Sequence, residues 1–273
     1  MPFNLWPAAG KRNKIPGKRK LRWKSDHVFT IDDVTFIVET GDPLYAATSS
    51  AQGFVIGKSR RQLETLMGLN FDRPVKRVLD LGIYQGGSVM FYHKLFAPEK
   101  IVAIDLNKEP VAPLESYIGQ KKLGQVIRTY YGVDQADDEA IRKILDGEMG
   151  RESIDLVVDD ASHFLRESRA SFNLLFPRVT PGGYYIIEDW GWAHWHDAYW
   201  QENGGPWPED PPLTNLIFEI TMALASSPEW VESIFLLPAY AVIRRGEQEN
   251  DSGQRFDLSG RYLNRGRQVR LLV

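Results

Sequence analysis

The chain has 273 residues, of which 43% are hydrophobic and 25% are charged, a composition typical of a folded globular protein. It contains no cysteine, which excludes disulfides, thiolate metal sites and cysteine nucleophiles, so a bound metal would need oxygen or imidazole ligands. No apolar run approaches the ~18 residues of a membrane span, and the N-terminus lacks the apolar core of a signal peptide. We therefore expect a cytoplasmic protein with no membrane partner.

The net charge of -3 is unevenly distributed along the chain. Residues 1–24 carry eight Lys and Arg residues and no acid, which leaves the remainder strongly negative. This basic arm is interpreted as a solvated tail or as an arm docked on an acidic partner subunit, with nucleic-acid binding as the alternative. Because the rest of the chain would repel phosphates, we expect no nucleic-acid partner.

The first predicted elements are two short β segments within residues 28–38, on either side of an Asp-Asp turn. A helix is predicted over residues 58–67. The sequence Asp72-Arg73-Pro74 then interrupts the chain before the pattern becomes regular. Residues 1–70 are therefore predicted to form an N-terminal extension to a main domain over residues 71–273.

From residue 75 onward, apolar strands alternate with helical stretches. The strands are continuous apolar runs, as expected when helices cover both faces of a parallel sheet. The predicted strands span residues 76–81, 101–105, 125–131, 154–159 and 184–188, and helices are predicted from 87, near 113–122, at 136–146 and at 166–176. This alternation predicts a doubly wound α/β fold.

The C-terminal part departs from this alternation. A helix over residues 213–226 is followed by strands over 231–237 and 239–244, with only Pro238 between the two strands. So short a connection cannot form a parallel crossover, and the two strands must pair antiparallel. The sequence thus predicts a Rossmann-like, seven-stranded sheet that is mostly parallel and ends in an antiparallel C-terminal strand.

A glycine-rich turn over residues 80–88 follows the first strand of this sheet and opens a helix. In doubly wound sheets, ligands bind beyond the carboxyl ends of the strands, where the strand order reverses. The glycines allow a tight turn and close backbone approach, and the leading aspartate can accept from a cationic group. Asp105 ends the second strand, where a ribose diol can be bound. The candidate cofactor-binding residues of the turn are Asp80, Gly82, Tyr84, Gly86 and Ser88.

A dehydrogenase has almost the same layout, but two residues argue against it. Asp80 would lie unfavourably beside a pyrophosphate and favourably beside the amino group of a methionine moiety. Tyr84 stands where a dinucleotide fingerprint has its second glycine. The turn resembles the first motif of class I methyltransferases, which implies S-adenosylmethionine as cofactor. Tyr84 also departs from the Gly-x-Gly that is commonest in that family.

The third strand ends in a polar loop that includes Asp134 and Gln135. By its position this loop flanks the adenine ring of a bound cofactor, so both side chains are predicted to bind the exocyclic amine and the ring nitrogens. The alternative is a loop that only caps the following helix, since aspartate is a favoured N-cap residue.

The fourth and fifth strands also end in acidic residues, at Asp159-Asp160 and at Glu188-Asp189. Neighbouring parallel strands would bring these carboxylates together, and two of them ~4 Å apart repel by about 4 kcal/mol at an effective dielectric near 20. Either one acid takes up a proton or a hard divalent cation lies among them. Oxygen ligands favour Mg²⁺, with Mn²⁺ as the alternative.

Because side chains alternate along a strand, Asp159 and Asp160 cannot both face a metal. Asp160 is assigned to the metal since it lies three residues before His163, and the predicted ligands are therefore Asp160, Glu188 and Asp189. Asp159 is predicted to face the cofactor or to cap the next helix. A turn after the strand would place His163 near the methyl donor as a catalytic base, the alternative being a structural histidine.

Residues 159–163 together with 182–189 resemble the metal-dependent O-methyltransferases that modify deoxysugars on macrolide antibiotics, and the resemblance spans roughly residues 55–245. It implies Mg²⁺ on the three acids assigned above, His163 as the base, a small-molecule acceptor and a homo-oligomer. Cephalosporin hydroxylase-like proteins share the acids more distantly, so this motif alone does not determine the substrate.

The implied reaction is attack of an acceptor hydroxyl on the methyl carbon of the sulfonium. A catechol-type O-methyltransferase acting on an aromatic diol is one alternative, and a cofactor-binding relative without transfer activity is another. Residues 190–212, rich in tryptophan, are predicted to form an acceptor lid, although an interface or core cluster is the competing interpretation. His194 and His196 in this segment are rival bases.

Overall fold

The computed structural model describes residues 20–39, 48–69, 71, 73–150, 153–248, 256–270 and 272. Most of the predicted basic arm, residues 1–19, lies outside the described residues. The strands are β1 (Arg22–Ser25), β2 (Val28–Ile31), β3 (Val34–Val38), β4 (Phe54–Ile56), β5 (Arg77–Leu81), β6 (Lys100–Asp105), β7 (Ile127–Tyr131), β8 (Ile154–Asp159), β9 (Val179–Glu188), β10 (Val231–Leu237) and β11 (Tyr240–Arg245).

The α-helices lie between these strands along the chain. They are α1 (Arg60–Gly68), α2 (Gly87–Phe96), α3 (Ala112–Gln120), α4 (Asp138–Glu148), α5 (Leu165–Leu175), α6 (Ala198–Gln201) and α7 (Thr214–Ser226). Among the described residues, no helix is long and apolar enough to cross a membrane.

The larger sheet has seven strands in the order β10-β11-β9-β8-β5-β6-β7. Strands β9, β8, β5, β6 and β7 run parallel, and β11 is antiparallel to both of its neighbours. Strand β8 is buried along its whole length, as a central strand covered on both faces must be. The predicted doubly wound, mostly parallel sheet with an antiparallel C-terminal strand is confirmed.

The smaller sheet is formed by β1 to β4 in sequential order and packs on helix α2. The stacked rings of Phe29 and Phe36 meet Phe91 edge-on, with ring centroids 6.3 and 6.2 Å from it. At Gly87 a Cβ atom would lie 2.1 Å from the backbone oxygen of Val55, so only glycine permits this contact. The segment before residue 70 therefore shares a hydrophobic core with the main sheet.

Strand β9 begins five residues earlier than predicted. Residues Thr180-Pro181-Gly182-Gly183, which lie before the predicted strand, form the irregular start of the observed one. The register against β8 shifts between Ile154 and Leu156, and Gly182 has a φ of 76°. Proline and glycine are tolerated here because the ladder is already irregular at this point.

Candidate active site

The candidate site lies at the carboxyl edge of the sheet, where β5, β8 and β9 end side by side. In the β8–β9 register Asp159 is opposite Ile187, so Asp160 and Glu188 come next to each other in the following position. Asp80 of β5 is paired with Val158 of β8. Because side chains alternate along a strand, the carboxylates of Asp80, Asp160 and Glu188 share one face of the sheet.

Glycine is required where the loops after β5 and β8 touch. Gly82 has a φ of 100°, and a Cβ at this position would lie 2.0 Å from the backbone oxygen of Asp160. Gly86, with a φ of 78°, precedes the first residue of α2 in the left-handed conformation. Tyr84 has a φ of 48° and its side chain is 40% exposed, so a tyrosine is accommodated with its ring outside the turn.

Asp80 is fully buried and only half satisfied by the protein. Its Oδ2 accepts a hydrogen bond of 2.7 Å from the hydroxyl of Ser88, whereas its Oδ1 has no partner. Burial raises the pKa of Asp80 to about 7, although the positive charge of Lys58 opposes the shift. A buried carboxylate oxygen without a partner is costly unless a ligand supplies a donor, so this position fits the ammonium group of a methionine moiety.

Asp105, the predicted ribose ligand, binds the glycine-rich turn from the neighbouring strand. Its Oδ2 accepts from the backbone N–H groups of Ile83 and Tyr84, at 2.8 and 3.0 Å. Its Oδ1 accepts from the N–H of Asn107 at 2.7 Å. The side chain therefore holds the turn in shape, and its role toward a ribose stays a prediction.

Asp134 and Gln135 lie in the loop after β7, but they differ in how far their side chains are free to bind a ligand. Asp134 is exposed and its Oδ1 accepts from the N–H of Ala136, while Asp137 is the residue that caps α4. Gln135 is buried: its Nε2 donates to Asp159 and to Ser171, at 3.0 and 2.9 Å. Its Oε1 accepts from the N–H group at position 162 at 2.7 Å, so its amide is bonded within the protein on both sides.

Asp159 lies on the face of the sheet opposite Asp160, as the alternation of side chains predicts. Its carboxylate accepts from Gln135 and, at 3.0 Å, from the hydroxyl of Tyr185. Burial raises the pKa of Asp159 to about 6, partly offset by these donors. The expectation that it caps the next helix is wrong, because α5 begins after Phe164 without a side-chain cap. Contact with the cofactor stays a prediction.

A lysine that sequence reasoning missed lies among the acids. Lys58 precedes α1, and its ammonium donates to Asp160 Oδ2 at 2.7 Å and to Glu188 Oε1 at 2.6 Å. Burial alone would lower the pKa of Lys58, but the two carboxylates raise it well above its usual range. Burial and the negative charge of Asp160 raise the pKa of Glu188. The only indication of this lysine in the sequence is its position between an apolar strand and the capping box of Ser59.

Three of the residues assigned to the chemistry come together on the open side of this cluster. The ligand atoms of Asp160, His163 and Asp189 all lie within 4.8 Å of one another, a donor set that fits a divalent cation. The Nε2 of His163 is 3.9 Å from Asp160 Oδ1. Burial, followed by the charge of Asp160, raises the pKa of Asp189. Glu188, also predicted as a ligand, bonds Lys58, and its role toward a metal stays a prediction.

The backbone is strained where these side chains enter the site. His163 and Asp189 have φ values of 59° and 49°, in the left-handed region that non-glycine residues rarely occupy. The N–H of Asp189 donates to the carbonyl of Ala239, and the indole of Trp192 donates to the carbonyl of His163 at 2.8 Å. Such strain persists only where surrounding contacts impose it, and it is concentrated at functional sites.

The tryptophan-rich segment after β9 folds into an aromatic cluster beside His163. Trp192 meets Trp200 and Trp207 with ring centroids 6.1 and 5.3 Å apart, and Phe164 meets Trp207 at 5.1 Å. Of the two rival bases, His194 bonds the hydroxyl of Thr214 at 2.8 Å, and His196 is exposed. The cluster thus borders the site, and its Trp192 holds the backbone of His163, the candidate base.

The chain is similar to curated enzymes of macrolide biosynthesis over part of their length. It is 33% identical to mycinamicin VI 2''-O-methyltransferase of Micromonospora griseorubida over 126 residues, covering 44% of this chain and 28% of that protein. It is 33% identical to demethylmacrocin O-methyltransferase of Streptomyces fradiae over 147 residues, covering 51% and 32%. The chain thus spans about a third of the length of these relatives. No protein family profile matches it.

Among solved structures, the chain resembles the MycE methyltransferase from the mycinamycin biosynthetic pathway, determined in complex with Mg, S-adenosylhomocysteine and mycinamycin VI. The TM-score is 0.47 with 27% sequence identity, covering 66% of this chain and 46% of that one. The curated relatives confirm the resemblance to the macrolide deoxysugar O-methyltransferases.

Proposed function

We propose that this protein transfers the methyl group of S-adenosylmethionine to a hydroxyl of a small natural product, a sugar of a glycosylated antibiotic, with the aid of Mg²⁺. One observation carries the proposal. Asp80, with its unpaired carboxylate oxygen, and the group of Asp160, His163 and Asp189 lie at the same sheet edge, where Gly82 brings their two loops into contact. A cationic methyl donor and a divalent cation would therefore meet at one place.

The glycine-rich turn binds the donor in this scheme. Asp80 accepts from the ammonium of the methionine moiety, and Ser88 keeps the carboxylate oriented from its other oxygen. Gly82, Tyr84 and Gly86 shape the turn, while Asp105 and the loop of Asp134 and Gln135 flank the ribose and the adenine. Orientation of the donor matters because alignment of the attacking and leaving atoms can supply several kcal/mol of the barrier reduction, with an upper range of ~7–11 kcal/mol.

The acid cluster and the histidine act on the acceptor. Asp160 and Asp189 would hold a Mg²⁺ ion, which would supply Lewis acidity toward the acceptor. His163 would remove the hydroxyl proton, a contribution on the order of 10² to 10⁴-fold. The acceptor oxygen forms the new bond to the methyl carbon, the carbon–sulfur bond breaks, and S-adenosylhomocysteine leaves with the electron pair on sulfur.

Residues 190–212 would cover the acceptor. Their tryptophans offer flat apolar faces that suit the C–H surface of a sugar or a polyketide. Trp192 in addition bonds the carbonyl of His163, so closure of this segment over an acceptor would be linked to the position of the base.

The test is incubation of the protein with labelled S-adenosylmethionine, Mg²⁺ and a panel of glycosylated and catecholic acceptors, read by mass spectrometry. We expect a glycoside with a vicinal diol to gain one methyl group. Methylation of the catechols alone would contradict the sugar assignment. Failure of the protein to bind S-adenosylhomocysteine in a calorimetric titration would contradict methyl transfer as such.

A further inference from the structure

Lys58 reaches the acid cluster from the N-terminal sheet, 102 residues before one of its partners and 130 before the other. It lies between β4 and α1, and the capping box formed by Ser59 and Gln62 fixes the start of that helix. The lysine side chain is only 1% exposed, so its ammonium lies in the protein interior. A buried charge of this kind is tolerated only with close partners of opposite sign.

The two carboxylate oxygens of Asp160 face different neighbours, one on the buried side of the cluster and one on its open side. Its Oδ2 bonds Lys58 on the buried side, where Glu188 bonds the same ammonium. Its Oδ1 lies 3.9 Å from the Nε2 of His163, on the open side where Asp189 lies. Glu188 is nearly fully buried, and it is absent from the group of described residues whose ligand atoms can meet on one ion.

The formal charges of the cluster match one divalent cation. The carboxylates of Asp160, Glu188 and Asp189 carry three negative charges and the ammonium of Lys58 carries one positive charge, which leaves an excess of two negative charges. Without Lys58 the excess would be three, and Glu188 would be free to move toward the ion. The ammonium therefore compensates one of the three negative charges, and it does so between Asp160 and Glu188.

We propose that Lys58 is a positioning residue that retains Glu188 on the buried side, so that the divalent cation is held by Asp160 and Asp189 beside His163 without Glu188. This inference rests on the proposed metal-dependent function. It departs from the ligand set that the family resemblance implies, in which Glu188 binds the metal.

Two variants distinguish this arrangement from a purely structural role of Lys58. In Lys58→Met the extra negative charge and the released Glu188 should raise the affinity for Mn²⁺ about tenfold, since an added unit charge near a divalent ion is attractive even when screened. The double variant Lys58→Met/Glu188→Gln removes one positive and one negative charge, so the net charge of the cluster is that of the wild type. Its affinity for Mn²⁺ should therefore return to within about threefold of the wild type.

The experiment is a titration of the full chain with Mn²⁺, followed by the electron paramagnetic resonance signal of the free ion, with no acceptor needed. Lys76→Met is the matched control: it removes the same charge from an exposed pair with Glu99 and should leave the affinity unchanged. The double variant removes both buried charges together, so it retains a test if Lys58→Met alone fails to fold.

Weaker or unchanged binding by a folded Lys58→Met would overturn the inference. So would a loss of a hundredfold or more in the double variant, because that result would make Glu188 a direct ligand. Absence of Mn²⁺ binding in the wild type is a different result: it contradicts the metal requirement of the proposed function, and the inference fails with it.

Discussion

Asp80 and Glu188 are two buried carboxylates at the same edge of the sheet, yet the protein treats them differently. Glu188 bonds the ammonium of Lys58 at 2.6 Å. Asp80 receives one hydrogen bond, from the neutral hydroxyl of Ser88, and its second oxygen has no partner. Glu188 thus has a cationic partner within the protein, whereas one oxygen of Asp80 has no partner, which supports the proposal that Asp80 binds the ammonium of the methyl donor.

The largest expected effect separates the two halves of the site. His163→Ala should lower turnover 10² to 10⁴-fold because the acceptor proton loses its base, while the affinity for S-adenosylhomocysteine at the Asp80 half stays unchanged. Turnover is measured by label transfer and affinity by calorimetry. His194→Ala, which removes a side chain bonded to Thr214, is the control. Loss of turnover in the control with an active His163→Ala would assign the base to His194.

The next effect tests Asp80 directly. Asp80→Asn keeps the shape of the side chain but removes the charge that binds the donor's ammonium, so the affinity for S-adenosylmethionine should fall about 10- to 100-fold. Ser88→Ala leaves the carboxylate charged and should weaken binding much less. Equal affinities of Asp80→Asn and the wild type would mean that the unpaired oxygen has no role in the donor site.

The same variant should also change the thermal stability of the protein. Burial raises the folded-state pKa of Asp80 from its usual 3.8 to about 7, so the folded state binds a proton more tightly than the unfolded state. The stability from this proton is complete below about pH 4 and is lost as the pH rises through 7. Without ligand, Asp80→Asn should therefore melt progressively higher than the wild type between pH 5 and pH 8.

The change in pKa from 3.8 to about 7 corresponds to roughly 4 kcal/mol at pH 8. Since about 1 kcal/mol corresponds to ~2–4 °C in a domain of 150–250 residues, the two melting temperatures should differ there by about 10 °C. Thermal melts monitored by circular dichroism at pH 5, 6, 7 and 8 measure it. A difference that does not change with pH would show that Asp80 ionises normally in the folded protein.

The smallest expected effect is that of the hydrogen bond from Trp192 to the backbone of His163. Trp192→Phe keeps an aromatic ring in the cluster but removes the indole donor to the carbonyl of His163. The strained backbone at His163 then loses one restraint, and turnover should fall a few-fold, in line with the ~0.5–1.5 kcal/mol of a neutral hydrogen bond. Trp190→Phe, whose indole donates to Leu237 instead, should leave turnover unchanged.

The regular part of the fold could be predicted because it rests on local patterns. Continuous apolar strands predict a parallel sheet, and the short connection at Pro238 predicts the antiparallel pair that β10 and β11 form. Strand β4 was missed, since three residues have too little periodicity to read. The start of β9 was missed because Pro181 and its glycines have the local preference of a turn.

In the site, too, the features that follow from local sequence patterns could be predicted. Strand alternation correctly separates Asp159 from Asp160, and the shared strand ends bring Asp160, His163 and Asp189 together. The partner of Glu188 could not be predicted, because Lys58 is 130 residues away and no local pattern marks a lysine as buried. The internal bonding of Gln135 likewise depends on the long-range packing of α5.

Methyl transfer before and after removal of divalent cations is the most direct test of metal-assisted O-methylation. The acceptor identified from the panel is incubated with labelled S-adenosylmethionine and chelator-treated protein, and Mg²⁺ is then restored. We expect label transfer to fall to background after chelation and to recover with Mg²⁺. Full activity of the metal-stripped protein would contradict the role assigned to Asp160 and Asp189.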